Sequence, residues 1–187
     1  MAKKKFEITF IDDVRFTALS QLFDRKVDKK RWHFFPFLRR GELLWISLYK
    51  NPSENYYLGC YEGKNPVGCV LAAYSPQKRV LILKEAIVSA TKERQGIATM
   101  LCYTAGLLLE HRLPSGSGTL YVGGIESAWT LVQMLRKFGV SGKLRQNSRK
   151  YQKLKKKIFT KYQDKFLLPS EEEINQEILS VKPIGPV

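Results

Sequence analysis

Apolar and polar residues alternate near the start of the chain, from Phe6 to Phe10, which predicts a half-buried β-strand. Asp12 or Asp13 follows directly, and either carboxylate can cap the first turn of a helix. The apolar stripe of this predicted helix comprises Val14, Leu19, Leu22 and Phe23. The chain is therefore expected to begin with a strand and an amphipathic helix.

The middle of the chain has the pattern of an antiparallel sheet followed by a buried helix. Three strands are predicted, at residues 56–61, 67–74 and 80–90. A run that is apolar nearly all round predicts a buried helix at residues 97–111. A short strand at residues 119–122 follows, and then a helix that begins at Ser127 and stops before Gly139.

The C-terminal part differs from the rest in its pattern. Ser170 and the three glutamates after it have the form of a capping box, which predicts a short acidic helix through Leu179. We assign residues 1–160 to a single domain and residues 161–187 to a C-terminal extension that carries this helix. The predicted fold class is α/β or α+β, with a mixed, mainly antiparallel central sheet flanked by helices.

The strand, turn and helix at residues 86–108 form the most informative unit. Gly96 lets the backbone approach a ligand closely, and the first N–H groups of a helix attract phosphate. The unit is neither a P-loop nor a GxGxxG dinucleotide fingerprint. Residues 93–98, Glu-Arg-Gln-Gly-Ile-Ala, resemble the acyl-CoA-binding motif of the GCN5-related N-acetyltransferase (GNAT) superfamily, Arg/Gln-x-x-Gly-x-Gly/Ala. Order and spacing fit that superfamily from about Tyr56 to Val140.

The resemblance implies a GNAT-like domain that uses acyl-CoA, with acetyl-CoA as the simplest donor. Backbone groups of the strand around Val88 would hydrogen-bond the pantetheine arm. The N–H groups from Arg94 to Thr99 would hold the pyrophosphate at the helix N-terminus. The implied donor-binding residues are Ile87, Val88, Ser89, Arg94, Gln95, Gly96, Ile97, Ala98 and Thr99.

The chain departs from the superfamily pattern at three positions. Glu93 stands where the motif prefers Arg or Gln, Leu135 where many members carry the tyrosine that protonates the thiolate, and Ala128 where many carry Asn. The usual acid is therefore missing, so transfer would depend on proximity and a base. Four residues are candidates for catalytic roles, namely Glu85, Tyr121, Glu126 and Ser127. Glu85 is the candidate base, although its position also suits a solvent-facing glutamate.

The charge distribution bears on the acceptor. The chain of 187 residues has 32 Lys and Arg against 17 Asp and Glu, a net charge of +15. Residues 141–165 contain ten basic residues and one acidic residue, residues 24–40 contain seven and two, and residues 3–5 are three lysines. These three patches carry the whole excess, and aromatic residues are interleaved with two of them. Such patches suit phosphates and stacked bases, or else form a solvated basic surface.

The candidate nucleic-acid contacts are Arg31, Trp32, Arg39, Arg40, Arg145, Arg149, Lys150 and Lys153. We therefore expect an acyl-CoA-dependent N-acyltransferase that acts on nucleic acid (DNA or tRNA), or on an amine associated with it, by direct attack on the thioester. Two alternatives stand beside this expectation. One is a catalytically degenerate GNAT-fold protein that binds nucleic acid. The other is an N-acetyltransferase of a small-molecule or protein amine.

Cysteine spacing and hydropathy bear on metal binding, disulfides and cellular location. The three cysteines and two histidines lack the spacing of a metal site or a disulfide framework. No apolar run approaches the ~18 residues of a membrane span, and the basic N-terminus lacks the apolar stretch of a signal peptide. We therefore expect no metal, no membrane partner and a cytoplasmic protein, while the sequence does not define the oligomeric state.

Overall fold

The computed structural model describes residues 4–23, 53–122, 143–182 and 184, which form one seven-stranded sheet with helices on both faces. The strands are β1 (Phe6–Phe10), β2 (Glu54–Glu62), β3 (Asn65–Ser75), β4 (Val80–Val88), β5 (Thr119–Val122), β6 (Lys143–Arg145) and β7 (Phe166–Leu167). The helices are α1 (Asp13–Leu22), α2 (Ile97–Arg112), α3 (Arg149–Tyr162) and α4 (Glu171–Ser180).

The strand order is β6-β5-β4-β3-β2-β1-β7. The neighbours β1–β2, β2–β3, β3–β4 and β5–β6 are antiparallel, whereas β4–β5 and β1–β7 are parallel. The connection from β4 to its parallel neighbour β5 runs through α2, because parallel strands need a crossover. The predicted mixed, mainly antiparallel sheet flanked by helices is thus confirmed.

Helices pack on both faces of the sheet. On one face, Phe16 and Leu19 of α1 form a cluster with Cys69 and Leu71 of β3. On the other face lies α2, which is apolar nearly all round because the sheet contacts one side of it and α3 and α4 contact others. Even so, no helix in the described part of the chain has the length and apolarity that a membrane span requires.

Helix α3 runs antiparallel to α2, and the chain that follows it forms strand β7 of the sheet. The Tyr151 hydroxyl donates to the Gly106 carbonyl at 3.2 Å, and the rings of Tyr103 and Phe159 stack 6.0 Å apart. The end of α3 therefore reaches the beginning of α2. Immediately afterwards β7 pairs with β1, where the Phe6 and Phe166 rings stack 5.0 Å apart.

The C-terminal end of α2 is fixed by an ion pair between a half-buried arginine and a buried carboxylate. Arg112 donates to the carboxylate of Glu54, which is only 5% exposed, and the Tyr56 hydroxyl donates to the same carboxylate at 2.6 Å. The Arg112 guanidinium also lies over the Tyr74 ring, 5.1 Å from its centroid. Removing one partner from such an arrangement leaves a buried charge uncompensated, so this end is an anchor between helix and sheet.

Several predicted elements are confirmed and three are corrected. The apolar stripe predicted for α1 is wrong at Val14 and Leu22, which are exposed, because the buried side of this helix includes Phe16. The capping box at Ser170 is present and opens α4. The strand predicted to reach residue 90 ends at Val88, because Ala90–Lys92 form a 3₁₀ turn. The basic segment at residues 141–165, for which the sequence suggested no element, contains β6 and α3. The predicted helix from Ser127 lies outside the described residues.

Candidate functional site

The segment that joins β4 to α2 is fixed by its own backbone hydrogen bonds. Ser89 donates its backbone N–H to the Val67 carbonyl at 3.0 Å, and Lys92 donates to the Ser89 carbonyl at 2.9 Å. Arg94 and Gly96 both have positive φ, 61° and 91°. These left-handed residues turn the chain sharply into α2, whose N-cap is Gly96. The strand, glycine turn and helix predicted from the sequence are therefore present.

Position 96 requires glycine for a second reason besides its positive φ. A Cβ at this position would overlap the ring of Tyr162, the last residue of α3. Gly63 makes a useful contrast, because it has a φ of 61° but no atom within 4 Å of a Cβ placed there. At Gly96, alanine is therefore disfavoured both by the backbone conformation and by overlap with a packed ring.

Helix α2 begins without a side-chain cap. The other three helices of the described chain each have one, since Asp12, Ser148 and Ser170 accept a backbone N–H in the first turns of α1, α3 and α4. At α2 the N-cap is Gly96, no side chain hydrogen-bonds there, and the first turn contains no acidic residue. The N–H groups at this end are therefore left to a ligand or to solvent, at the positive end of the helix dipole.

Charged side chains surround the glycine turn. Lys5 donates to the Gln95 side chain at 2.9 Å and lies 3.4 Å from the Glu62 carboxylate. Lys92 pairs with the same carboxylate, and hydrogen bonding from Lys92 holds the pKa of Glu62 below its usual value. Arg94 is exposed at the tip of the turn. Three cations against two carboxylates, those of Glu62 and the exposed Glu93, leave the surroundings of the uncapped helix end positive by one charge.

A β-bulge places Glu85 on the sheet face that packs against α1. The register between β3 and β4 shifts between Leu71 and Ala72, so that Leu71 pairs with Glu85 and Ala72 with Leu83. The extra residue, Lys84, reverses the alternation of side chains beyond it. Glu85 therefore lies directly beside Leu71, which packs in the α1 cluster, and is half-buried there.

Tyr121, the other predicted catalytic residue that the structure describes, lies on the same face as Glu85. It is buried in a small cluster with Ala73 and Ile82. Ala73 is two residues beyond Leu71 on β3, so both point to the α1 side. The structure therefore brings Glu85 and Tyr121 to one face, in neighbouring rows of the sheet.

The three cysteines are all buried and free of disulfide bonds. Burial raises the pKa of the Cys60 and Cys69 thiols to about 12 and also raises the pKa of Cys102. A thiol is nucleophilic as the thiolate, which these surroundings disfavour near neutral pH. None of the three is therefore suited to carry an acyl group as a covalent intermediate.

Helix α3 presents a strongly basic surface opposite its buried stripe. Tyr151 and Ile158 are buried against the core, with Leu154 half-buried between them. Glu110 of α2 pairs with Lys155 on this helix. The exposed basic side chains of α3 are Arg149, Lys150, Lys153, Lys156, Lys157 and Lys161. Such a dense row of cations favours a polyanionic partner.

The residues predicted to bind the donor all lie along the strand, turn and helix. Val88, Ile97 and Thr99 are buried, and Arg94 is exposed. The remaining five are half-buried, namely Ile87, Ser89, Gln95, Gly96 and Ala98. Their roles in binding stay predictions.

The predicted nucleic-acid contacts fall into two sets. Arg145, Arg149, Lys150 and Lys153 lie close together in the chain at β6 and the start of α3, and all are exposed. The other contacts, Arg31, Trp32, Arg39 and Arg40, and the candidate catalytic residues Glu126 and Ser127 lie outside the described residues.

Two residues of interest were missed by sequence reasoning. Tyr162 lies against the glycine turn, and its apolar spacing from Tyr151, Leu154 and Ile158 is the signal that could have identified α3. Tyr57 lies on the same sheet face as Glu85. No local signal marks Tyr57, because its position beside Glu85 depends on strand register.

Comparison with known proteins gives similarity in solved structures alone. No protein-family profile and no curated protein matches the sequence. Nourseothricin acetyltransferase is 19% identical with a TM-score of 0.39, over 44% of this chain and 48% of that chain. The chain thus spans about half the length of that protein.

Two further acetyltransferase structures are similar over more of the chain. The ribosomal-protein-S18-alanine N-acetyltransferase from Escherichia coli is 15% identical with a TM-score of 0.45, over 72% of this chain and 76% of that chain. A GNAT-family acetyltransferase from Staphylococcus aureus Mu50 is 14% identical with a TM-score of 0.44, over 72% and 82%. Similarity at this level says nothing about a substrate.

The chain has the mixed sheet flanked by helices that the sequence resemblance implied. Its sheet is mixed, β4 carries a bulge, and a glycine turn links β4 to a central helix.

Proposed function

We propose that this protein is an acyl-CoA-dependent N-acyltransferase, with acetyl-CoA as the simplest donor. The observation that carries this proposal is the start of α2, which follows β4 through a left-handed glycine and lacks the side-chain cap of the other described helices. A helix end of this kind favours the pyrophosphate of coenzyme A. Coenzyme A would supply an acyl group activated as a thioester.

Particular groups of the chain would hold the donor. The backbone N–H groups of Ile97, Ala98 and Thr99 would point at the pyrophosphate, as the first amides of any helix do. Arg94 and Lys92 would add positive charge beside them. Lys5 is already directed to this place by its hydrogen bond to Gln95. Through this hydrogen bond the N-terminal segment would contribute to donor binding.

Glu85 is the proposed base. It is half-buried on the α1 side of the sheet, at the bulge that re-aims β4. A protonated amine would lose one proton to Glu85, its nitrogen would then bond to the acyl carbon as the carbon–sulfur bond breaks, and the second proton would go to the leaving sulfur. Direct transfer agrees with the raised pKa values of all three cysteine thiols, which disfavour an acyl-cysteine intermediate.

We propose that the acceptor is nucleic acid or an amine carried on it. The support is the exposed basic surface of α3, which is continuous in sequence with Arg145 on the sheet edge. Lysine and arginine rows of this density bind phosphate backbones through counterion release. The proposed donor site and this surface are adjacent, because Tyr162 at the end of α3 lies over Gly96.

Calorimetric titration of the full chain with acetyl-CoA tests the donor. We expect saturable binding at one site per chain. A folded protein that gives no saturable heat would contradict both the proposed enzyme and the alternative of a different amine acceptor. In that case, tight binding of tRNA or DNA by the same preparation would favour the degenerate nucleic-acid-binding protein.

A salt series with single-stranded DNA, duplex DNA and tRNA tests the acceptor. We expect the affinity to fall steeply with salt, and Lys153→Gln or Lys156→Gln to lower the slope of log K against log salt by about 0.7 to 0.9 each. The matched control is Lys182→Gln, an exposed lysine after α4, which should leave the slope unchanged. A flat salt response in the unmodified protein would overturn the nucleic-acid proposal.

A further inference from the structure

The exposed surface of α3 carries an aromatic ring among its lysines. Phe159 is 42% exposed, and no other Phe, Tyr or Trp in the described part of the chain is exposed. A single exposed apolar side chain is ordinary on a protein surface. What this ring can do is therefore decided by the groups that surround it.

The Phe159 ring is held in place from the side of α2. It stacks on Tyr103 with ring centroids 6.0 Å apart and ring planes 23° apart. Tyr103 is itself half-buried and packs against the core. Because the Phe159 ring rests on a fixed neighbour, a ligand that contacts its exposed area would cost little further side-chain entropy.

Cations lie beside Phe159 on one face of α3. Lys156 is exposed three residues before Phe159, so both side chains emerge from neighbouring positions of the helix surface. The exposed Arg149 and Lys153 continue this face toward the start of α3, because residues three, four and seven apart lie on one side of a helix. The face from Arg149 to Phe159 is about 15 Å long. It combines a row of cations with an aromatic ring at one end.

We propose that Phe159 stacks on an unpaired base of a nucleic-acid strand whose phosphates lie along this face of α3. The inference rests on the proposed nucleic-acid acceptor and names its form, which is a single-stranded segment. A ring on a helix surface can stack only on a base whose flat face is uncovered. In a duplex the neighbouring bases cover that face, and the grooves present only base edges. The loops and ends of tRNA offer unpaired bases as single-stranded DNA does.

The position of Phe159 relates the bound strand to the proposed donor site. Phe159 lies about one helical turn before Tyr162, whose ring lies over Gly96. An unpaired segment stacked on Phe159 would therefore be held at the end of α3 that adjoins the glycine turn. The cations that lead away from this end favour a polyanionic strand over a single nucleotide, such as the adenosine part of coenzyme A.

The test is fluorescence anisotropy of three labelled probes with the full chain and no acetyl-CoA. The probes are a short thymidine strand, an abasic strand of the same length and a duplex of the same length. The thymidine and abasic strands carry the same phosphates and differ only in their bases. We expect the thymidine strand to bind about tenfold more tightly than the abasic strand, because base stacking on an aromatic side chain adds to the phosphate contacts.

Variants of Phe159 separate stacking from charge. Phe159→Leu keeps an apolar side chain but removes the aromatic ring, so it should weaken binding of the thymidine strand about tenfold and leave the abasic strand and the duplex unchanged. It should also leave the slope of log K against log salt unchanged, because no phosphate contact is lost. Phe159→Tyr keeps the ring and should keep the affinity. Leu179→Ala, at an exposed leucine of α4, is the control and should bind all three probes normally.

The inference is overturned if the unmodified protein binds the thymidine and abasic strands equally, or if Phe159→Leu binds the thymidine strand as tightly as the unmodified protein. In either case, salt-dependent binding of all three probes would leave the proposed nucleic-acid acceptor standing. The absence of salt-dependent binding to every probe would contradict both.

Acetyl-CoA binding by Phe159→Leu is measured separately by calorimetry. It should match that of the unmodified protein, which also shows that the variant folds. Weaker acetyl-CoA binding together with unchanged binding of the thymidine strand would assign the ring to the adenine of coenzyme A, and would overturn the inference while supporting the proposed donor.

Discussion

The two ends of helix α2 are completed in opposite ways. At its C-terminal end, Arg112 is paired with the buried Glu54, and Tyr56 donates to the same carboxylate. At its N-terminal end there is a glycine in place of a capping side chain, and the nearest packing partner is the ring of Tyr162. One helix thus has a closed end that anchors it and an end whose backbone groups suit an anion.

The C-terminal segment contributes to both ends. The last residue of α3 lies over the glycine turn, and α4 contacts the other end of α2, where Asn175 hydrogen-bonds His111 at 3.1 Å. The Glu54 carboxylate and the Tyr56 hydroxyl at the closed end serve stability, because each already has a partner inside the protein. Function is therefore to be sought at the end that remains incomplete, and mutations at the two ends should separate stability from donor binding.

The largest expected effect is loss of stability from Glu54→Ala. The substitution leaves the half-buried Arg112 without its carboxylate and the buried Tyr56 hydroxyl without its acceptor, so we expect the free energy of unfolding to fall by about 3 kcal/mol. Acetyl-CoA affinity of the folded protein should be unchanged. Urea unfolding measures the loss, and Glu172→Ala, at an exposed glutamate of α4, is the control with an expected change within about 0.5 kcal/mol. A loss similar to the control would show that the closed end is no anchor.

The next largest effect is expected from Gly96→Ala, which should impair the uncapped N-terminal end of α2. Positive φ and overlap with Tyr162 should lower the free energy of unfolding by about 1 to 3 kcal/mol. Displacement of the turn should also weaken acetyl-CoA binding about tenfold or more, a change of ~1.4 kcal/mol. Gly63→Ala is the matched control, with similar φ but open space, and should keep full donor affinity. Equal donor binding by both variants would contradict the site.

A double-mutant cycle sharpens the role of Tyr162. In a Tyr162→Ala background the overlap is gone, so Gly96→Ala should then lower stability only through its backbone conformation, as Gly63→Ala does. We expect a coupling free energy of about 1 kcal/mol between positions 96 and 162, measured by urea unfolding of the four proteins. Additive effects would show that α3 and the glycine turn are independent.

The smallest expected effect concerns pH at the closed end. Burial raises the pKa of Glu177, whose charge also acts on Tyr56. A carboxyl with a raised folded-state pKa destabilises the protein once the pH exceeds its unfolded value. Glu177→Gln should therefore stabilise the protein by less than about 1 kcal/mol at pH 7, with no difference below about pH 4. Thermal unfolding across this range measures it, and a gain that persists at low pH would contradict the cause.

Local signals explain which elements the sequence predicted. The apolar run of α2 and the capping box of α4 are contained in short stretches of chain and predicted both helices well. Helix α3 was missed because its many lysines obscured the stripe that includes Tyr151 and Ile158, although Ser148 marks its start. The strands β6 and β7 have only three and two residues, which is too short to show a period-2 pattern. They are defined by pairing with their neighbour strands, and the sequence therefore did not predict them.

The candidate site also combines a local feature that the sequence predicted with features that depend on the fold. Gly96 was predicted because its turn is local, whereas the packing of Tyr162 against it depends on the antiparallel placement of α3 and α2. The placement of Tyr57 and Glu85 on one sheet face depends on two strand registers and on the bulge at Lys84. A shift of one residue in either register would send these side chains to opposite faces, so such a site becomes visible only in three dimensions.

The central claim is that coenzyme A binds at the uncapped end of α2. Its most direct test is NMR of the isotope-labelled backbone during titration with acetyl-CoA. We expect saturable shifts that are largest for the amides of residues 94–99 and small for the capped first turns of α3 and α4. Saturable binding with its largest shifts on α3 or at the Arg112 end of α2, or no saturable shifts at all, would contradict it.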